Sequence, residues 1–458
     1  MNDLEKRDSG ATRPEAKELC LGLIEFLDKS PCAFFAIENL VERLKENGFQ
    51  QLDEKDKFTM EPKGRYYVTR GDSSIIAIVA GKSRVSRAGF FMLGAHTDSP
   101  GFKLKPSPEK KEPDGLVTLS AEVYGGPLRV TWMDRDLGLC GRVMFKNSEG
   151  EVESRLYCSD TPFLSMPNLA IHLNREANDK GLTVNPQTEM AIIMGDESLG
   201  SNKAERGVKA LVAASLGLDR ESILSMDLYL YDAQPAGFGG IDYEFIRSGR
   251  LDDLAMCHAG LSALLASLKD MGGGTAHTRI LACLDNEEIG SQTAQGARST
   301  FLPSILERTA MALGDDREGF LAGLAGSFMI SADNAHARHP GYASRHDPNH
   351  APSLNKGPVL KLHASRAYAT DALSAAVFGQ CCKAAGVPMQ EFVNRSDYRS
   401  GSTIGSMTSA ILGVPVADVG NPQLAMHSIR ELAGTMDHLY MKKAMTVFLD
   451  GSWKPARG

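Results

Sequence analysis

Residues 281–297 read LACLDNEEIGSQTAQGA. An apolar run, ILACL, stops abruptly on two adjacent glutamates, Glu287 and Glu288, just ahead of Gly290. A short apolar run bounded by turn residues predicts a buried strand. Strands also exit into solvated acidic loops, so the pair of carboxylates decides nothing alone. Its meaning depends on how the other apolar runs end.

They end in the same way. FFMLGAHTDSP closes on His96 and Asp98, and SFMISADNAH closes on Asp333 and His336. In open α/β sheets, ligands gather beyond the carboxyl ends of the strands, so three such ends predict one convergent site. Two more groups are candidates: Asp252 or Asp253 in GRLDDLAM, at the start of a predicted helix, and His427 in QLAMHSIRE. Each has a plainer reading. His96 can be a hydrogen-bonded structural imidazole, the aspartates an N-cap pair, Asp333 a turn residue, and His427 part of a helix face. Together they favour one explanation, because buried carboxylates are costly unless paired or bound to metal. Imidazole and carboxylate donors suit a pair of divalent ions, zinc first, with manganese or cobalt as alternatives. Such a pair acidifies a shared water and polarises a carbonyl, and a carboxylate outside the ligand set must then move the proton. Of Glu287 and Glu288, one is expected to be a ligand and the other the base.

The surrounding texture predicts an α/β fold with an interruption. AKELCLGLIEFLDKS and CAFFAIENLVERLKENGF carry apolar residues at helical spacing, and SSIIAIVAG and GFFMLGAH read as buried strands. From about residue 105 the chain alternates polar and apolar residues with frequent turns, as in LVTLSAEVYGG and DLYLYDAQPA. After AGFGGIDYEF the α/β texture returns, with a helix expected in LAMCHAGLSALLASLKDMGGG and strands in RILACLD, SFMISAD and VPVADVG. Residues 1–105 and 236–458 are therefore expected to form one discontinuous α/β domain, with 106–235 inserted as a β-rich unit.

Composition excludes several classes. The chain has 458 residues and a net charge of −7, without a basic block, so no nucleic-acid partner is expected. No apolar run approaches a bilayer span and the N-terminus has no signal-peptide core, so no membrane partner and a cytoplasmic location are expected. The eight cysteines have no framework or CxxC spacing and read as reduced thiols. IVAGKSR lacks the upstream glycine of a phosphate cradle, SGSTIGSM is not a nucleophile elbow, and HExxH is absent.

Six segments in order, GAHTDSPGFKLKP, GRLDDLAM, DNEEIGSQTAQGA, ISADNAHARHP, GSTIG and QLAMHSIRE, resemble the aspartyl aminopeptidase family of co-catalytic metallopeptidases. The resemblance covers nearly the whole chain. It implies a mixed-sheet metallopeptidase domain interrupted by a β-rich dimerisation domain, and assembly into a homododecamer built from dimers. It assigns His96 and Asp333 to one metal, Glu288 and His427 to the other, and Asp252 to both. Glu287 matches the catalytic base and Asp98 the carboxylate that orients the His96 ring. His172, in NLAIHLNR, matches a histidine that projects into a neighbouring subunit's active site, and His336 matches a pocket residue near the scissile carbonyl. Peptides with an N-terminal Asp or Glu are the implied substrates. One segment departs from the family pattern. In LHASRAYATDA, Ser365 and Ala367 stand where basic residues are common, while Tyr368 is kept. Lys361, Arg366, Arg395 and Arg399 are the remaining cations that could read an acidic side chain.

Overall fold

A computed structural model describes residues 12–199, 207–268 and 274–453. Its framework is a nine-stranded mixed sheet. The order is Gln50–Gln51, Arg65–Arg70, Ser74–Val79, Thr278–Leu284, Phe90–His96, Phe328–Ala332, Val416–Gly420, Val359–Leu362 and Gln390–Val393. The four strands from Thr278–Leu284 to Val416–Gly420 run parallel to one another, and the outer two pair antiparallel with Ser74–Val79 and Val359–Leu362. Every residue of these four is buried, which is why they read as unbroken apolar runs rather than alternating ones.

Alternation survives inside that burial. Phe91, Leu93 and Ala95 pack on one face, with helices Thr12–Lys29, Ala33–Glu46, Leu251–Ala266, Ala372–Ala385 and Thr435–Asp450. Phe90 and Met92 pack on the other, with Phe301–Ala312, Arg317–Ala325 and Ile404–Leu412. The period of two along the strand thus supplies both cores of a three-layer sandwich. Each fully buried side chain of this size contributes roughly 1.5–3 kcal/mol.

A second sheet, antiparallel throughout, has the order Val152–Cys158, Leu137–Lys146, Ile223–Asp232, Gly101–Lys111, Leu116–Tyr124, Ile192–Asp196. It has its own core around Phe102, Trp132, Leu139 and Leu228, covered by helix Val208–Leu216. The sequence did not suggest the third sheet. Gly237–Gly239, Phe245–Ser248, Glu431–Gly434, Pro422–Leu424 and Ala335–His336 form five short strands that bring chain-distant segments to one place. Its strands are two to four residues long, below the length at which periodicity becomes visible.

The helix expected after GRLDDLAM spans Leu251–Ala266. The glycine stop read at its far end falls partly on residues 272–273, outside the described residues, as does most of the N-terminal stretch read as lacking a signal core. QLAMHSIRE, for which a helix face was one reading, is instead the connection between strands Pro422–Leu424 and Glu431–Gly434. NLAIHLNR lies in turns and irregular chain, not in a strand or helix. Among the described residues, no helix is long and apolar enough to cross a membrane.

Candidate active site

Parallel register places the strand ends side by side. Leu284 pairs with His96, so the turn carrying Glu287 and Glu288 emerges next to the histidine. Strand Phe328–Ala332 delivers Asp333 from the other side. Above them sits the start of helix Leu251–Ala266, where Asp252 and Asp253 depart from helical geometry. The N-cap position falls on Arg250, and no side chain caps this helix, so the aspartates are not a capping pair. The 425–430 connection of the small sheet brings in His427, in a left-handed backbone conformation.

The contacts are specific. Asp252 Oδ1 lies 3.4 Å from His96 Nε2, and its Oδ2 lies 3.5 Å from His427 Nε2. His427 Nε2 is also 3.3 Å from Glu288 Oε1. Donor atoms from His96, Asp252, Asp253 and Asp333 gather within 4.8 Å of one another, as do those of His96, Glu287 and Glu288, and those of Asp252, Glu288 and His427. Asp253 is turned differently: its Oδ2 accepts the His96 backbone N–H at 3.1 Å.

Around this cluster, other groups fix its geometry. The His96 ring Nδ1 is 3.1 Å from the Asp98 carbonyl oxygen and 3.4 Å from its carboxylate. Asp98 Oδ1 accepts the N–H of Glu287 at 3.0 Å, while Oδ2 accepts the N–H of Glu288 at 3.1 Å and the Tyr124 hydroxyl at 2.8 Å. Glu431 accepts the N–H of His427 at 2.8 Å and of Asp252 at 3.1 Å. Neither Tyr124 nor Glu431 was singled out from the sequence. Glu431 ends the QLAMHSIRE segment, four residues after His427, and that adjacency was the available signal. Tyr124 belongs to the six-stranded sheet and has no local signature.

Electrostatics mark the cluster as short of positive charge. Burial, reinforced by Asp333, Glu288 and Asp98 against the pull of His96, pushes Glu287 up to about 8. Burial likewise pushes Glu288 up to about 7 and Glu431 to about 8, and it raises Asp253 and Asp333. Against its own burial, Asp252 is held below the ordinary range by His427 and His96. The buried Asp252 Oδ1 and Asp253 Oδ1 have no hydrogen-bond partner. Divalent cations fit this donor set: they would complete the unpartnered oxygens and relieve the crowding of carboxylates.

The remaining candidates separate. His336 lines a cleft of roughly 370 Å³ with Arg345, Arg395, Arg399, Gln423 and Met426. Desolvation and the Lys361 ammonium hold its imidazole down at about 4, although the residue as a whole is exposed. Lys361 is buried with its ammonium 3.2 Å from Asp333 Oδ1 and 5.4 Å from the Tyr368 ring centre. Arg366 is exposed and turns to the Ala369 carbonyl and Asp371. Arg395 grips Asp397 through two nitrogens. His172 is exposed and joins none of the donor groups.

Comparison with known proteins gives a consistent result. Residues 26–449 match the family described as aminopeptidase I zinc metalloprotease (M18). A probable M18 family aminopeptidase 2 of Clostridium acetobutylicum is 44% identical over 94% of this chain and 98% of its own. One of the same name from Pseudomonas entomophila is 46% identical over 93% and 97%. Among solved structures, a chain of the Ape4 and Nbr1 complex superposes with a TM-score of 0.92 at 37% identity, covering 97% of this chain and 87% of that one. A Saccharomyces mApe1 dodecamer gives 0.82 at 29% identity, covering 96% of each.

Proposed function

The chain belongs to the M18 family of zinc aminopeptidases, and from that membership we propose that it removes single N-terminal residues from peptides, acidic ones preferred, at a centre holding two divalent ions. The observation that carries the two-ion reading is Asp252, whose two carboxylate oxygens face two different imidazoles. His96 and Asp333 would hold one ion, Glu288 and His427 the other, and Asp252 both. Zinc is the first choice, with manganese or cobalt also suited to the donors. When bound, the ions supply Lewis acidity, which acidifies a shared water and polarises the scissile carbonyl.

The chain's own residues supply the proton transfers. Glu287 takes the proton of the attacking water and hands it to the departing amine. A carboxylate outside the proposed ligand set but grouped with His96 and Glu288 is placed for both steps. Asp98 holds the Glu287 and Glu288 backbone and orients the His96 ring. His336 faces the cleft that would receive the peptide. The preference for Asp or Glu is supported by the buried Lys361 ammonium beside Asp333 and by Arg345, Arg395 and Arg399 in the cleft. A neutral-residue specificity on the same centre is the second reading, favoured by Ser365 and Ala367 in place of basic residues.

Residues 106–235 are proposed as the dimerisation unit of a homododecamer. Leu169, Ile171 and Leu173 are exposed on either side of His172, and a neighbouring subunit would cover them while receiving the histidine. The free thiols suit a reducing, cytoplasmic setting.

Glu287→Gln tests the mechanism. It should lower kcat by roughly 10²–10⁴-fold while metal content, measured by elemental analysis, stays at two per chain. Substantial turnover in that variant refutes the base assignment. Peptides beginning with Asp, Glu, Leu, Lys or Ala, offered to zinc-, manganese- and cobalt-loaded enzyme, separate the two specificities.

A further inference from the structure

Three of the eight cysteines meet where helix Ala33–Glu46 docks on the six-stranded sheet. Cys32 precedes the helix and lines a cavity of roughly 60 Å³ with Phe34, Trp132 and Tyr229. Its thiol meets that of Cys140, buried on strand Leu137–Lys146. Cys140 in turn pairs across the sheet with Cys158. The thiols differ in character. Burial works to raise Cys32, but contact with Cys140, the amides of Phe35 and Phe34, and the Arg250 guanidinium hold it below the ordinary thiol range. Burial pushes Cys20 and Cys382 up to about 12, and it raises Cys140, Cys158, Cys257 and Cys381 as well. Cys32 is also partly exposed, whereas Cys140 is not. A thiol of lowered pKa at a helix start, beside a cation and within reach of a second thiol, has the features of a redox-sensitive pair. The same guanidinium disfavours a metal ion among these sulfurs.

We propose that Cys32 is a hydroperoxide-reactive thiol and Cys140 its resolving partner, closing a disulfide that ties the start of helix Ala33–Glu46 to strand Leu137–Lys146. In the first step the Cys32 thiolate attacks a peroxide oxygen. An S–O bond forms, the O–O bond breaks, sulfur is oxidised to the sulfenic acid, and the peroxide is reduced and leaves as hydroxide. In the second step the Cys140 sulfur attacks the Cys32 sulfur. The S–S bond forms, the S–O bond breaks, and the hydroxyl leaves as water with the Cys140 proton. The two steps favour one another: the Cys32 charge that helps burial to keep Cys140 protonated disappears once Cys32 is a sulfenic acid.

The test uses the full-length, metal-loaded protein, treated with hydrogen peroxide, alkylated and peptide-mapped. The expected result is joint loss of the free Cys32 and Cys140 thiols and recovery of one cross-linked peptide containing both. In Cys140→Ser, dimedone should label Cys32 at a rate roughly tenfold or more above any other thiol. In Cys32→Ser, Cys140 should stay reduced. Survival of all eight thiols overturns the proposal, as does a Cys140–Cys158 disulfide that forms equally well in Cys32→Ser. The wild-type map decides the matter even where a variant folds poorly.

Discussion

Asp98 gives both carboxylate oxygens to the chain itself, to the amides of Glu287 and Glu288 and to the hydroxyl of Tyr124. Tyr124 also accepts from Asn286 Nδ2 at 2.9 Å, so one phenol from the six-stranded sheet holds the loop that presents both glutamates. Tyr124→Phe removes that hydroxyl and keeps the ring. It should lower kcat by roughly tenfold, with KM and thermal midpoint little changed, because the loss is one of positioning. Unchanged kcat would show that Asp98 needs no help. Glu431 plays a comparable part for the opposite half of the cluster. Glu431→Gln places an amide where two N–H donors point, and should weaken metal binding by roughly 10–100-fold in a competitive chelator titration. His96, Asp98, Glu287, Glu288 and Asp333 were legible because each follows a strand that announces itself as an apolar run. Tyr124 and Glu431 were not, because their role depends on which distant backbone amide or carboxylate they meet.

Strands and helices of the large sheet were readable from burial, since parallel strands covered on both faces must be apolar throughout. Less readable was where backbone must come close to backbone. Gly420 ends strand Val416–Gly420, and a Cβ built there would lie 2.1 Å from the Asp333 carbonyl oxygen. Gly420→Ala should therefore cost about 1–3 kcal/mol in denaturant unfolding and reduce metal occupancy by displacing Asp333. Loss of stability with full metal content would detach the glycine from the site. Helices Leu251–Ala266 and Thr435–Asp450 meet through a buried histidine pair, His258 Nδ1 to His438 Nε2 at 2.9 Å. Burial pushes His438 down to about 3 and, with the charge of His438 and Arg43, lowers His258. The folded state thus refuses protons that the unfolded chain accepts below about pH 6.5. Stability from this pair is present above that pH and is lost as the pH falls toward the folded-state values. His438→Gln should make the decline in thermal midpoint between about pH 6.5 and about pH 4 shallower than in the wild type; parallel curves would mean that other groups set the acid limit.

At the scale of the whole molecule, the carboxylate cluster and the fold are coupled by mass action. Buried carboxylate oxygens that lack hydrogen-bond partners, Asp252 Oδ1 and Asp253 Oδ1, destabilise the native chain, and an ion that binds only the native state offsets this. Exhaustive chelation should lower the thermal midpoint, and zinc should restore it in proportion to the logarithm of its free concentration. A midpoint indifferent to metal would leave the cluster without a structural part.

The proposed ligands enter the chain in an order with a further consequence. His96 precedes the six-stranded sheet, Asp252 and the glutamates follow it, and His427 arrives with the last strands. During synthesis, a nascent chain that has not yet emerged through residues 422–431 has neither His427 nor the Glu431 that would seat it. On the proposed ligand set, the centre therefore stays incomplete until these residues have been made and the short strands that carry them have paired.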